Sequence, residues 1–127
     1  MKRSILIVLT FILIFITVAC SQGTSIDIGD ALGKSEENFR KLEVIDTTAA
    51  SFDGEKDVKF RLMVEGNPSE VEASILFNRI LEVIAKYSNR SDVWDYYNGY
   101  FDIENHDDGV IYEGEKLIDE ELIVQSK

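Results

Sequence analysis

Reactive side chains are scarce in this sequence, and those present stand apart from one another. The chain has one cysteine, Cys20, and one histidine, His106. His106 lies beside Asp107 and Asp108, but a zinc site draws three or four ligands from His, Cys and carboxylates, and no second histidine exists to help complete one. Glu104, His106, Asp108, Gly109 and Glu115 fall at positions one, three, five, six and twelve of a calcium-binding loop. The residue types do not match, because the first position calls for Asp and imidazole is a poor ligand for a hard cation. A serine triad would need the same histidine, and no Gly-x-Ser-x-Gly elbow is present to hold a nucleophile. There is no glycine-rich phosphate loop. These residues predict no enzyme, no metal site and no bound cofactor. What they offer is contact chemistry. Trp94, Tyr96, Tyr97, Tyr100, Phe101 and Tyr112 are gathered in one stretch of chain, and amphipathic rings dominate protein contact sites. About half of them must enter a core; Trp94, Tyr97, Tyr100 and Tyr112 are taken as the candidate partner surface.

Cys20 has a different setting. Lys2 and Arg3 precede a run from Ile5 to Ile16 whose only polar member is Thr10, a charged segment followed by an apolar one, as in an export signal. Between that run and the polar stretch Ser21-Gln22-Gly23-Thr24-Ser25 stands Thr17-Val18-Ala19-Cys20, with small Ala19 directly before the cysteine. This resembles the lipobox of bacterial lipoproteins, with Thr17 where that family usually has Leu. The resemblance implies that the Cys20 thiol takes a diacylglyceryl group and that the preceding bond is cut, making Cys20 the new amino terminus. An uncleaved membrane span is disfavoured, since Ile5 to Cys20 is shorter than the roughly 20 apolar residues a spanning helix needs. One acyl chain, at about 0.8 kcal/mol per buried methylene, binds membranes marginally, whereas two give stable attachment. A single cysteine also rules out an intrachain disulfide.

The expected organisation is a signal peptide over 1–19, the lipidated cysteine and a short linker over 20–25, and one small domain over 26–127. Loss of Lys2 and Arg3 with the signal leaves 11 basic residues against 24 acidic ones, and the net charge moves from −11 to −13. Such a surface repels nucleic acid and anionic headgroups. The anchored domain is therefore expected at the extracytoplasmic face of the cell membrane, held by lipid alone, with no nucleic acid partner. Any protein partner should be basic, neutral or bridged by a cation.

The elements that must position these residues follow from period and punctuation. Ala31 to Lys41 reads as a short helix with Leu32, Phe39 and Leu42 inward; Glu36 and Glu37 lie early, and Arg40 and Lys41 four residues on. From Leu42 the period becomes two, with Leu42, Val44, Thr48, Ala50 and Phe52 on one face, interrupted by Asp46. Asp53-Gly54 turns the chain, and Val58, Phe60, Leu62 and Val64 then alternate with Lys59, Arg61, Met63 and Glu65. Asn67-Pro68-Ser69-Glu70 predicts a helix start with Asn67 as cap and Pro68 at the first helical position. The helix should run to about Tyr87, with Ala73, Leu76, Phe77, Ile80, Ile84 and Tyr87 on its apolar stripe. Val71, Ile75, Leu81 and Val83 widen its stripe enough to dock a partner helix instead.

Ser91 to Phe101 admits two readings. Asn98-Gly99 is a two-residue hairpin signal, but that pairing sets Asp95 opposite Asp102. Alternatively Ser91 caps a short helix that buries Val93, Trp94 and Tyr97 and ends at Gly99. The second avoids the facing charges and is preferred. Phe101 to Asn105 and Val110 to Ile118 read as strands around a turn at His106–Gly109, with a last short strand at Leu122–Val124. The predicted fold class is α+β, an antiparallel sheet of four to five strands with one long helix on one face, in the order α-β-β-α-β-β.

Mature length, anchor and element order are similar to those of the small exclusion lipoproteins of Gram-positive integrative and conjugative elements, a likeness of overall organisation. It implies a surface protein that contacts a membrane-associated conjugation machinery. The alternative from composition alone is a lipoprotein that binds a small ligand or a cation, or a carboxylate enzyme, in a cleft between helix and sheet.

Overall fold

The computed structural model describes residues 26–127; the expected signal peptide, Cys20 and its linker lie outside the described residues. The order is α1 (Ile28–Arg40), β1 (Ile45–Phe52), β2 (Asp57–Val64), α2 (Glu70–Ser88), a 3-10 turn (Val93–Asp95), β3 (Asn98–Asn105), β4 (Gly109–Lys116) and β5 (Ile123–Ser126). The fold is α+β, with two helices and a five-stranded, mostly antiparallel sheet of order β1-β2-β3-β4-β5.

Helix α1 begins three residues earlier than its apolar pattern suggests, because the Asp27 carboxylate accepts the Asp30 N–H at 3.0 Å and caps the first turn. Glu36 pairs with Arg40 at 3.6 Å, and Asp30 pairs with Lys34 at 3.0 Å. Mid-helix Gly33 faces solvent and leaves no hole. The hairpin turn is longer than two residues. The Asp53 carboxylate accepts the N–H groups of Glu55, Lys56 and Asp57 at 2.8–3.0 Å, and Gly54 supplies the positive φ of 89°.

A register shift between Ile45 and Thr47 marks a bulge at Asp46. One extra residue reverses the parity of everything before it. Thr48, Ala50 and Phe52 accordingly share the predicted face, but Ile45 turns inward at 5% exposure and Val44 outward at 41%. Helix α2 is capped by Ser69 rather than Asn67. The Ser69 hydroxyl accepts the Glu72 N–H at 3.2 Å, and the Glu72 carboxylate accepts the Ser69 N–H at 3.4 Å. Pro68 lies buried just before the helix, and Asn67 instead accepts a hydrogen bond from Asn105 at 2.8 Å.

Asn98-Gly99 is not a turn but the start of β3, where Gly99 pairs with Val58 and Lys116. A β-carbon at Gly99 would collide with the ring of Phe101, so glycine is required there by close approach. The short helix of the second reading shrinks to the 3-10 turn, with Val93 and Trp94 buried. Ser91 does not cap it, and Asp92 is taken by Arg90 at 2.8 Å.

Two features depart from the predicted sheet. β2 and β3 run parallel, because α2 carries the chain back to the end where β2 began. Asn98 enters level with Asp57, donating to its carboxylate at 3.0 Å and accepting the Ile118 N–H at 2.8 Å. The long helix is also not alone. α1 and α2 pack together on one face, over Val58, Phe60, Leu62, Val64, Phe101 and Ile103. The rings of Phe39 and Phe60 stand 5.6 Å apart, and those of Phe77 and Phe101 stack at 6.2 Å. The space between helices and sheet is therefore filled by apolar side chains.

Candidate functional site: the uncovered face of the sheet

Side chains alternate along each strand, so α1 and α2 bury one face of the sheet, and among the described residues no element covers the other. The pairing sets its residues in rows. Ser51, Lys59, Tyr100, Glu115 and Ile123 form one row across all five strands, and Ala49, Arg61, Asp102, Glu113 and Gln125 form the next. These residues line a shallow groove of about 560 Å³.

Arg61 organises the second row. Its Nε donates to Asp102 Oδ1 at 2.7 Å and its Nη2 to Asp102 Oδ2 at 3.0 Å, while Glu104 stands 3.2 Å from the same Nε. The hydrogen bond to Asp102, then the charges of Asp102 and Glu104, raise the Arg61 pKa above its ordinary value. Parallel register makes this possible, by placing Arg61 beside Asp102 and Met63 beside Glu104. At the far side Lys127 pairs with Glu113 at 3.2 Å.

The first row is less satisfied. Among the described residues neither Lys59 nor Glu115 has an ion-pair partner. They flank Tyr100 on either side, about 10 Å apart by two strand spacings. Burial raises the Tyr100 pKa above its ordinary value, and the Asp57 and Glu115 carboxylates add to the shift. The phenol is therefore protonated at neutral pH, able both to donate and to accept. An unpaired cation, a hydroxyl and an unpaired carboxylate in line can recognise a polar group carrying both charges.

The four aromatic residues of the candidate partner surface do not come together. Trp94 is buried at 8% exposure, with Nε1 donating to the Leu81 carbonyl at 3.0 Å and its ring edge-on to Phe101. Tyr112 pairs with Ile103, shares its inward face and donates to the Pro68 carbonyl at 2.9 Å. Tyr97 is half-buried and edge-on to Phe52 at 5.6 Å. Only Tyr100 reaches the uncovered face. Tyr96 is exposed beneath the Arg90 guanidinium, 5.5 Å from its centroid.

The calcium-loop spacing does not fold into a site. Glu104 turns to Arg61, His106 lies 3.2 Å from Asp46 at the β1 bulge, and Glu115 points to the groove. Among the described residues no three His, Cys, Asp or Glu side chains gather to hold a metal. No helix among them is long and apolar enough to cross a membrane. Sequence reading assigns no contact role to Asp102 or Glu113, and places Glu104 and Glu115 only in the calcium-loop spacing. Their shared signal is alternation with Phe101, Ile103 and Gly114, legible only once the strand order is known. Comparison with protein-family models, with curated proteins and with solved structures finds no match for this chain.

Proposed function

We propose that this chain is a lipoprotein anchored through Cys20 at the extracytoplasmic face of the cell membrane, where it acts as a surface interaction protein. Its uncovered sheet face is the docking surface for a membrane-associated protein. The observation that carries this reading is the row Lys59–Tyr100–Glu115, two opposite charges about a phenol, with no ion-pair partner and no covering element among the described residues. A folded domain gains nothing in stability from leaving such charges unpaired, and a partner segment bearing a carboxylate and a cation would satisfy both. The exclusion role that the overall organisation resembles would place that partner in a conjugation machinery.

Site-specific photocrosslinking in native membranes tests this. A photoreactive residue at Tyr100 should give one discrete adduct with a membrane protein, lost when Lys59→Glu and Glu115→Lys are introduced singly. Capture of lipid alone, or an adduct indifferent to both substitutions, removes the reading.

A small zwitterionic ligand is a second reading, favoured by the groove volume of about 560 Å³, which falls within the range of ligand sites. Thermal melting of the full chain with a panel of amino acids and betaines separates the two. A ligand selective for the folded state raises the midpoint by mass action, and a docking surface for protein alone does not respond.

A further inference from the structure

We propose that the free edge of β1 pairs antiparallel with β1 of a second copy, about a two-fold axis through Ala50. β1 is the end strand of the sheet, and the direction of its backbone groups follows from two hydrogen bonds. The Asn98 N–H bonds to the Lys56 carbonyl at 2.8 Å, which turns 56, 58, 60 and 62 toward β3 and leaves 57, 59, 61 and 63 to bond with β1. The Asp53 N–H bonds to the Asp57 carbonyl at 3.1 Å, in the same phase. Thr47, Ala49 and Ser51 therefore bond inward, and Thr48, Ala50 and Phe52 direct their N–H and C=O groups away from the sheet. Among the described residues no backbone group outside the sheet ladders meets them.

Natural edges are normally guarded by lysine, proline, shortness or a bulge. β5, at the other edge, has four residues. β1 has eight; it is guarded by the bulge at Asp46 and, on its covered face, by α1, whose Arg40 and Glu36 hydrogen-bond with the Thr48 hydroxyl. From Thr47 to Phe52 the register is regular and the strand carries neither charge nor proline.

Register and charge suit a second copy. With the axis at Ala50, Thr48 faces the second copy's Phe52, Ala50 faces its own counterpart, and every outward N–H meets a carbonyl. On the open face Ala49 meets Ser51 of the second copy, both small and exposed. Beyond them Asp53 faces Thr47, and Asp46 faces Gly54. No carboxylate opposes a carboxylate, although the chain carries a net charge of −11. Between the two strands themselves, a second copy thus completes the edge without a like-charge contact. Ala49, Ala50 and Ser51 also form one end of the groove, so pairing joins two grooves across the axis. The pairing does not depend on what docks in them.

One strand edge covers less than the roughly 1,200 Å² that stable complexes bury, so the contact is read by trapping rather than by dilution. Positions 49 and 51 of opposite copies form a non-hydrogen-bonded pair, with Cα atoms about 4.5 Å apart, within disulfide range. Full-length chains carrying Ala49→Cys and Ser51→Cys are co-expressed and oxidised in the membranes of the producing bacterium. The unmodified chain, whose only cysteine is Cys20, sets the background, and Asn78→Cys on the exposed side of α2 controls for random collision. A disulfide-linked dimer at least ten times above both is expected.

Ala50→Pro removes an N–H that β2 does not use, and Ala50→Lys sets two cations against each other at the axis. Each, introduced into both chains, should lower the dimer about tenfold; because Ala50 packs against the core on the covered face, the loss counts only for a variant whose thermal midpoint stays within a few degrees of the unmodified chain. A dimer no greater than the controls, or one undiminished by both substitutions, overturns the proposal.

Discussion

The ring of Phe77 in α2 rests directly on the backbone of Gly114 in β4: a β-carbon built there would stand 3.0 Å from Cγ and Cδ2 of the ring. Gly114 is the cross-strand neighbour of Phe101, and Phe77 stacks on Phe101. The approach of α2 to β4 is thus set by the absence of one methyl group. Gly114→Ala should destabilise the fold by about 1–3 kcal/mol, the usual range for overpacking. Gly33→Ala, at an exposed mid-helix position with nothing within 4 Å, should stabilise it by about 0.5–1 kcal/mol. Thermal melts of the two variants should therefore move in opposite directions.

Ser69 and Glu72 close a reciprocal cap on α2. Ser69→Ala should cost about 1 kcal/mol, measured as a lower urea midpoint with an unchanged slope. Ser69→Asp should recover most of it, since a carboxylate at the cap accepts the same N–H and suits the helix dipole.

Arg61 and Asp102 form a two-pronged pair with Arg61 about half exposed, at 48% of its side-chain surface. Solvent screening limits such a pair to about 0.2–1 kcal/mol. A double-mutant cycle of Arg61→Ala and Asp102→Ala should give a coupling energy in that range, smaller in 1 M salt. A coupling of zero at low salt would show that the fork does not hold the second row.

Asp53 and Asp92 should contribute to the acid limb of stability. Hydrogen bonds from the backbone, first that of Glu55, hold the Asp53 carboxyl below its ordinary value. The Arg90 guanidinium does the same for Asp92. A carboxyl that ionises more readily in the folded state contributes stability fully above its unfolded pKa, near 3.9. That contribution is lost as the pH falls through the lower folded value. Urea midpoints should be flat from pH 7 to about 5 with respect to these two groups and decline below about 4. Asp53→Asn, which keeps an acceptor oxygen but cannot titrate, should make that decline shallower.

Cys20→Ser should abolish acylation. Cell fractionation should then find the chain outside the membrane fraction or still joined to its apolar leader. Retention of a processed Cys20→Ser chain on membranes would show that something other than lipid on this thiol holds it.

Much of the architecture is legible in the amino-acid order because burial imposes a period. β2 announces itself through Val58, Phe60, Leu62 and Val64, and α2 through Ala73, Phe77, Ile80 and Ile84, all of which are buried. The turn at His106–Gly109 follows from its residue types, and Gly109 has the positive φ, 71°, that such a turn needs. Asn98-Gly99 misleads for the converse reason. A glycine beside asparagine reads locally as a turn, whereas here it makes room for the ring of Phe101.

Sequence alone thus determines which side chains share a face within one strand or helix, since that depends only on the backbone repeat. It does not say which strands are neighbours. Tyr100 and Tyr112 are aromatic and close in the chain, yet they lie on opposite faces because Tyr112 falls in step with Ile103 and Tyr100 does not. Arg61 meets Asp102, and Lys59 meets Tyr100, only because α2 returns the chain to set β3 parallel to β2. The tertiary structure decides such meetings because they join residues about forty positions apart, and no local period records a pairing made across the sheet.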